Sequence, residues 1–167
     1  MSENDKTDFL SCIVDYDDWN ISEYIYHIIE FNWGPHEVVW FASDHNFKLK
    51  DFYSRYWNMY STGIDAFTVD WNGVNGLLVP PMFLIPCVFK CMGEYRAIGT
   101  LIVPCWPWEN YWSMLCPSGN GFIDQVIGYI DLSVAKMFYI PGKSQRYIFG
   151  ITDLTFRMLA LRLDFRQ

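Results

Sequence analysis

Clustered positive charge is the first thing this sequence lacks. Its 167 residues hold 12 Lys+Arg against 19 Asp+Glu, for a net charge of −7. The deficit is uneven: residues 1–30 carry eight acids and one base, and the remainder carries eleven of each. Tight, salt-dependent phosphate binding needs clustered Lys and Arg. Lys143, Arg146, Arg157, Arg162 and Arg166 give the C-terminal end only a mild basic bias, so a strong autonomous nucleic-acid binder is disfavoured. Histidine is scarce as well, with only His27, His36 and His45, and no serine stands in a G-x-S-x-G elbow, which argues against a hydrolytic triad. Nucleotide fingerprints are missing. G-x-G-x-x-G does not occur, and Gly142-Lys143-Ser144 fails as a P-loop because Met137 stands where the upstream glycine is required.

Long apolar runs are absent too. The stretch 77–89 is too short to span a bilayer and carries Pro80, Pro81 and Pro86. The opening residues are polar and acidic, without the apolar core of a signal peptide. These absences set the expectation of an intracellular chain with no membrane partner. The five cysteines (Cys12, Cys87, Cys91, Cys105 and Cys116) are odd in number and form no ladder of spacings. In a reducing compartment they read as thiols. Cys87 and Cys91, four apart, can share a helix face, but the pattern supplies no further ligands. They read as core residues, and no metal is expected.

What the sequence does have is apolar mass: 51% hydrophobic residues and 19% aromatic, enough for one domain with one core. Residues 1–19 read as an acidic leader and 20–167 as the domain. Asn20 as N-cap with Glu23 three residues on, then Ile21, Tyr24, Ile25, Ile28 and Ile29, predict a helix that stops at Gly34-Pro35. Strands are predicted in 37–43, at Gly76–Val79, and over Ile98–Val103; the stretch 44–75 reads as irregular. Ile85–Met92 predicts a short helix with Pro86 in its first turn, and Trp108–Leu115 a second. Two more strand candidates lie near Phe122–Ile130 and Met137–Ile140. The alternation in Leu159–Phe165 predicts a half-covered final strand. Strand–helix alternation with continuous apolar strands argues for an α/β fold, its sheet mixed but mostly parallel and covered by helices.

Two clusters invite chemistry. Asp15, Asp17 and Asp18 resemble a Mg²⁺ site, but acids before a helix also stabilise its dipole, and that reading is preferred. Val79-Pro80-Pro81-Met82 follows a buried strand. Alone, Pro-Pro there is a weak motif, and a rigid turn is the common explanation. In amino-methyltransferases the same place carries [Asp/Asn]-Pro-Pro-[Tyr/Phe], where the first side chain accepts from the exocyclic amine and the ring stacks on a flipped base. Val79 accepts no hydrogen bond and Met82 has no ring, although Phe83 is adjacent.

Several phrases, taken in order, resemble the polyprotein of DIRS-type tyrosine-recombinase retroelements, in the region after RNase H that is similar to phage-type DNA adenine methyltransferases. Thr7-Asp8-Phe9-Leu10-Ser11 resembles the end of the RNase H, and Asp15–Trp19 the linker after it. Trp33-Gly-Pro-His36 followed by Phe41-Ala-Ser-Asp-His-Asn46 resembles "WGPH…FAS-x-x-N". Asp65-Ala-Phe67 with Asp70-Trp71 resembles "DAF-x-x-DW", and Leu78-Val-Pro-Pro81 lies at "NPPY". Gly99–Trp108 resembles "G-x-LVVP-x-WP", and Phe149-Gly150 with Leu159–Phe165 resembles "FG…LALRLDF". The resemblance spans Asp8 to Phe165. It implies a Rossmann-like, three-layer α/β fold with helices on both faces of the sheet. It also implies a catalytic position at Val79, Pro80, Pro81 and Met82, and S-adenosylmethionine contacts at Val39, Ser43 and Asp65.

The departures fall on those positions. Val39 replaces the family's usual Asp, and Val79 and Met82 replace the polar and aromatic members of the tetrapeptide. Of the RNase H only the last residues are matched, so one carboxylate, Asp8, stands without the partners that two-metal cleavage needs. The expectation is therefore a non-catalytic, methyltransferase-like fragment of a retroelement polyprotein. Its partners would be the other domains of that polyprotein and, weakly, nucleic acid. No cofactor is expected, or S-adenosylmethionine if the chain is active. The alternatives are an active adenine amino-methyltransferase, with Asp44, Asn46, Asp65 or Asp70 replacing lost groups; an interaction module using Trp106, Trp108, Tyr111 and Trp112; and a non-functional remnant.

Overall fold

The computed structural model describes residues 20–42, 48–54, 59–134, 139–140 and 156–167. The acidic leader, with Asp15, Asp17 and Asp18, lies outside the described residues, as do Cys12, Ser43, Asp44, His45 and Asn46.

The first helix, α1 (Glu23–Trp33), starts two residues later than Asn20 would have capped it. Ser22 is the N-cap, in extended conformation, its side chain accepting from the Ile25 N–H. Asn20 instead lies in the short strand β1 (Asn20–Ile21), which pairs antiparallel with β8 (Tyr139–Ile140). Its own side chain accepts from the Ile21 N–H at 2.8 Å. Ser22 caps the helix alone: three residues on stands Ile25, and Glu23 opens the first turn, so the expected capping box with Asn20 does not form. Gly34 ends the helix as predicted, its N–H bonding the Glu30 carbonyl.

A five-stranded sheet forms the centre. Its order is β2 (Val38–Val39), β5 (Asn75–Leu78), β6 (Ile98–Pro104), β9 (Met158–Asp164) and β7 (Val126–Asp131). β2, β5 and β6 are parallel neighbours. β9 is antiparallel to both β6 and β7, so four of the five strands share one direction. The expected mixed, mostly parallel α/β sheet is present.

The region expected to be irregular is partly ordered. β3 (Tyr53–Ser54) and β4 (Gly63–Ile64) form a parallel pair. A parallel bridge from Val39 to Phe52, with bonds Val39 N → Asp51 O and Ala42 N → Tyr53 O, ties that pair to the free side of β2. Hydrogen bonding therefore crosses the molecule in the order β4, β3, β2, β5, β6, β9, β7. Two-residue strands leave too little alternation to be read from sequence.

The final strand departs from expectation. Every residue of β9 is buried, because β9 lies between β6 and β7 rather than at an edge. Its alternation is real but separates Leu159, Leu161 and Leu163 from Ala160, Arg162 and Asp164, and the two charged residues of that second set are buried and paired. The half-covered pattern belongs to β7 at the sheet edge, where Ile127 and Tyr129 are exposed.

Helix α2 (Ile85–Glu94) carries Pro86 in its first turn, as predicted. It buries Ile85, Val88, Phe89, Cys91 and Met92, and Phe89 meets Phe165 edge-on at 6.1 Å. Helix α3 (Asn110–Leu115) is shorter than predicted. It is anchored where the Tyr111 hydroxyl donates to the Pro104 carbonyl at 2.9 Å. No helix among the described residues is long and apolar enough to cross a membrane.

One close approach fixes β2 against β5. The Trp40 indole folds back over Gly76, so that a Cβ there would sit 2.1 Å from the indole nitrogen. Trp40 also stacks on Trp71, with centroids 5.0 Å apart and planes at 11°. Trp71 is held in turn by its indole N–H donating to the Ala66 carbonyl. Because indole and strand both lie in the packed core, neither can yield cheaply. Gly76→Val is expected to destabilise the fold by about 3 kcal/mol or more, as overpacking a tight core does, read as a lowered midpoint in urea denaturation.

Candidate functional site

In open parallel α/β sheets the ligand crevice lies beyond the carboxyl ends of the strands, where strand order reverses. Here the reversal falls at β2. The chain proceeds outward on one side through β3 and β4, and on the other through β5 and β6. The strand ends there are Val39-Trp40 on β2, Leu78-Val79 on β5 and Pro104-Cys105 on β6.

Val79, Pro80, Pro81 and Met82 leave the end of β5 at this edge. Pro80 is buried, and Val79, Pro81 and Met82 are half-buried. Met82–Leu84 forms one 3-10 turn leading into α2, closed by Leu84 N → Pro81 O at 2.9 Å. The rigid turn expected of Pro-Pro is therefore present at a strand end. No side chain in the tetrapeptide can accept a hydrogen bond, and the exposed ring is Phe83, 58% accessible.

Of the other expected contacts, Val39 is the last residue of β2. It is buried, and its N–H donates to the Asp51 carbonyl. Asp65 follows β4 at an exposed turn with φ 57°, a left-handed conformation that costs a non-glycine residue about 1–2 kcal/mol. Its carboxylate accepts from the Phe67 N–H at 3.1 Å, and its carbonyl accepts from both Thr68 N–H and hydroxyl. Asp70 likewise accepts from the Asn72 N–H. Ser43 lies outside the described residues. Phe41, Phe67, Trp71 and Trp40 form a contiguous ring cluster beside β2.

The cysteines divide. Cys91 is buried and Cys87 is exposed, which corrects the reading of both as core. Burial, with Glu94 and Asp65 adding negative potential, pushes the Cys91 thiol up to about 11. That favours an inert thiol. Among the described residues no three His, Cys, Asp or Glu gather as metal ligands. Of the four aromatics weighed as an interaction surface, Trp106 and Tyr111 are buried, Trp112 is half-buried, and Trp108 is 74% exposed.

The densest polar cluster is one that the sequence pattern did not single out. His36, whose side chain is 0% exposed, sits between Glu30 and the sheet. Its Nδ1 lies 2.6 Å from Glu30 Oε2 and its Nε2 lies 2.8 Å from Thr100 Oγ1. The Glu30 carboxylate also accepts the His36 backbone N–H. Glu30 reaches back by folding over Gly34, where an added Cβ would meet its carboxyl carbon at 2.6 Å. From the other side, Arg162 donates to Asn75 Oδ1 at 2.6 Å and approaches Thr100 Oγ1 at 3.4 Å. The Asn75 amide donates to the Trp33 and Pro35 carbonyls.

Thr100, His36 and Glu30 have the order of nucleophile, base and orienting acid. Thr100 is 0% exposed, however, so its hydroxyl faces the packed interior and bonds within the cluster. Thr100 within IGTLIV, Arg162 within LALRL and His36 before VVWF are each polar residues set in apolar strands. That was the available signal.

No family model matches the chain, and no characterised protein matches it in sequence.

Arg162 lies within the sheet, where burial lowers its pKa and Asp164 opposes that. Arg162→Met removes a charged donor and strands the Asn75 and Thr100 oxygens. It is expected to destabilise the protein by about 2–3 kcal/mol, measurable as a fall in the thermal midpoint.

Proposed function

We propose that the chain is a non-catalytic, methyltransferase-like domain derived from a DIRS-type retroelement polyprotein, a structural or nucleic-acid-handling module beside the other domains of that polyprotein. The observation that carries this reading is the place of Val79-Pro80-Pro81-Met82. It lies at the carboxyl end of a parallel strand next to the strand-order reversal, with no side-chain acceptor and no ring at its fourth position. The resemblance supplies the family, and the strand arrangement supports it.

A Rossmann-like, three-layer arrangement with helices on both faces is part of the proposal. Alternation puts Thr100 and Arg162 on one face of the sheet and Leu101 and Leu163 on the other. Trp33, at the end of α1, lies over Gly128 on the Arg162 face, where an added Cβ would come 3.4 Å from its indole ring. Phe89 of α2 meets Phe165, which follows Leu163 in the alternation. Both contacts support helices on opposite faces.

The donor set does not fit a methyl donor well. Position 39 holds a buried valine instead of an acid, and the Asp65 and Asp70 carboxylates each cap a neighbouring backbone N–H. One observation favours the active alternative, an adenine amino-methyltransferase: Asp65 is exposed and backbone-strained, as residues at ligand sites often are.

Calorimetric titration with S-adenosylmethionine and its demethylated product separates the two. The expected result is no saturable heat from a cooperatively folded sample at millimolar ligand. Saturable binding that disappears in Asp65→Ala, followed by methyl transfer to DNA or RNA, would replace the proposal with the enzyme reading.

A further inference from the structure

We propose that Glu30, His36, Thr100 and Arg162 form a one-way hydrogen-bond latch that holds the α1–β2 turn on the sheet while His36 is neutral and releases it in mild acid. The argument is one of proton placement. The Glu30 carboxylate only accepts, so His36 Nδ1 carries the proton and donates to it. His36 Nε2 is then an acceptor, and the Thr100 hydroxyl donates to it across 2.8 Å. The Thr100 oxygen is thereby free to accept, and Arg162, which can only donate, faces it at 3.4 Å. Every proton in the chain runs from Arg162 toward Glu30.

Protonating Nε2 breaks that order. The imidazolium then donates toward Thr100 from one side while Arg162 donates from the other. The Thr100 hydroxyl proton loses its acceptor at a point where neither Thr100 nor the His36 side chain has any exposed surface. Two cations also come to share a buried space with one carboxylate. Among the described residues, the charged groups that face His36 are Glu30 on α1 and Arg162 on β9. β6 presents Thr100 and β5 presents Asn75, neither of which titrates, while Asp164 and Arg166 act on Arg162.

The pKa of His36 lies below the ordinary imidazole value. Burial is the largest cause and Arg162 adds to it, against the opposing pull of Glu30. A histidine depressed in the folded state binds fewer protons there than in the unfolded chain. Stability is therefore full above the unfolded value, about 6.5, and declines as pH falls from there toward the folded value. Asp164, held low by its hydrogen bonds to Arg166, contributes stability that is lost only as pH falls below about 4. The two windows are distinct.

What the latch holds is specific. The Glu37 carboxylate accepts the Asn75 N–H and the Glu37 N–H donates to the Asn75 carbonyl. The His36 turn therefore leads directly into the β2–β5 pairing.

The test is amide hydrogen exchange of the full chain at pH 7 and pH 5, with the His36 ring followed by NMR titration. After correction for intrinsic exchange, the Gly34 and His36 amides are expected to exchange severalfold faster at pH 5 than at pH 7, the direction that a depressed histidine dictates. The β6–β9 ladder should stay protected, and the acceleration should track the His36 titration. His36→Gln, which does not titrate, should lose the difference between the two pH values. A His36 ring that titrates with no change at those amides would overturn the proposal. So would an equal acceleration in His36→Gln. If that variant fails to fold, the wild-type comparison of ring titration with amide exchange still decides the matter.

Discussion

A buried arginine organises this molecule. Arg162 stands in the middle of β9, a strand with neighbours on both sides, where an unpaired guanidinium would be prohibitive. Its partners come from β5 and β6 through Asn75 and Thr100, and those in turn hold the end of α1 through Trp33, Pro35 and His36. One charge thus makes three separate parts of the chain interdependent: the first helix, the parallel strands and the antiparallel closing strand. Hydrophobic burial supplies most of the favourable free energy of folding, but it is non-directional. Directed partners of this kind give the sheet a register that Leu and Ile alone leave loose.

The sequence was most legible where a single local rule decided the outcome. Gly34 stops α1, Pro86 is tolerated at the start of α2, and IGTLIV is a buried strand, each because propensity and burial agree. It was least legible where tertiary neighbours decide. Ser22 outcompeted Asn20 as the cap because Asn20 is drawn into pairing with Ile140, 120 residues away along the chain. β3 and β4 are too short to show a period, and they are strands only because β2 offers them an edge. Leu159–Phe165 reads as half-covered because Arg and Asp alternate with Leu. Burial of those charges depends on Asn75 and Arg166, partners that no local window reveals.

The candidate site was legible in place more than in chemistry. A Pro-Pro turn after an apolar strand could be located from sequence, and it lies at a strand end beside the reversal of strand order. What converges on it could not be read. Asp65 and Asp70, natural candidates for a ligand, cap their own turns. The aromatics of the same stretch pack as a stacked core around Trp40 and Trp71. Cys87 and Cys91 share a helix yet differ in exposure, because α2 turns only one of them toward the core.

A division among the resemblance motifs gives the non-catalytic reading its physical sense. Positions that agree with the family have structural work within this chain. Trp71 stacks on Trp40 and ties down Ala66. Gly99 leaves room for the Gly76 carbonyl, which a Cβ would approach to 2.8 Å. His36 bridges a helix to the sheet, and the Leu159–Leu163 strand fills the centre. Val39, Val79 and Met82, which depart from the family, are apolar residues in ordinary packing positions. On the proposed reading, their polar or aromatic counterparts in the family that the chain resembles would serve a ligand. On the proposed reading, replacing ligand-facing groups leaves the core contacts in place, whereas loss of Trp71 or Arg162 would cost several kcal/mol of a total that is commonly only about 5–15 kcal/mol. A domain released from catalysis but still required to fold would keep the first set and lose the second.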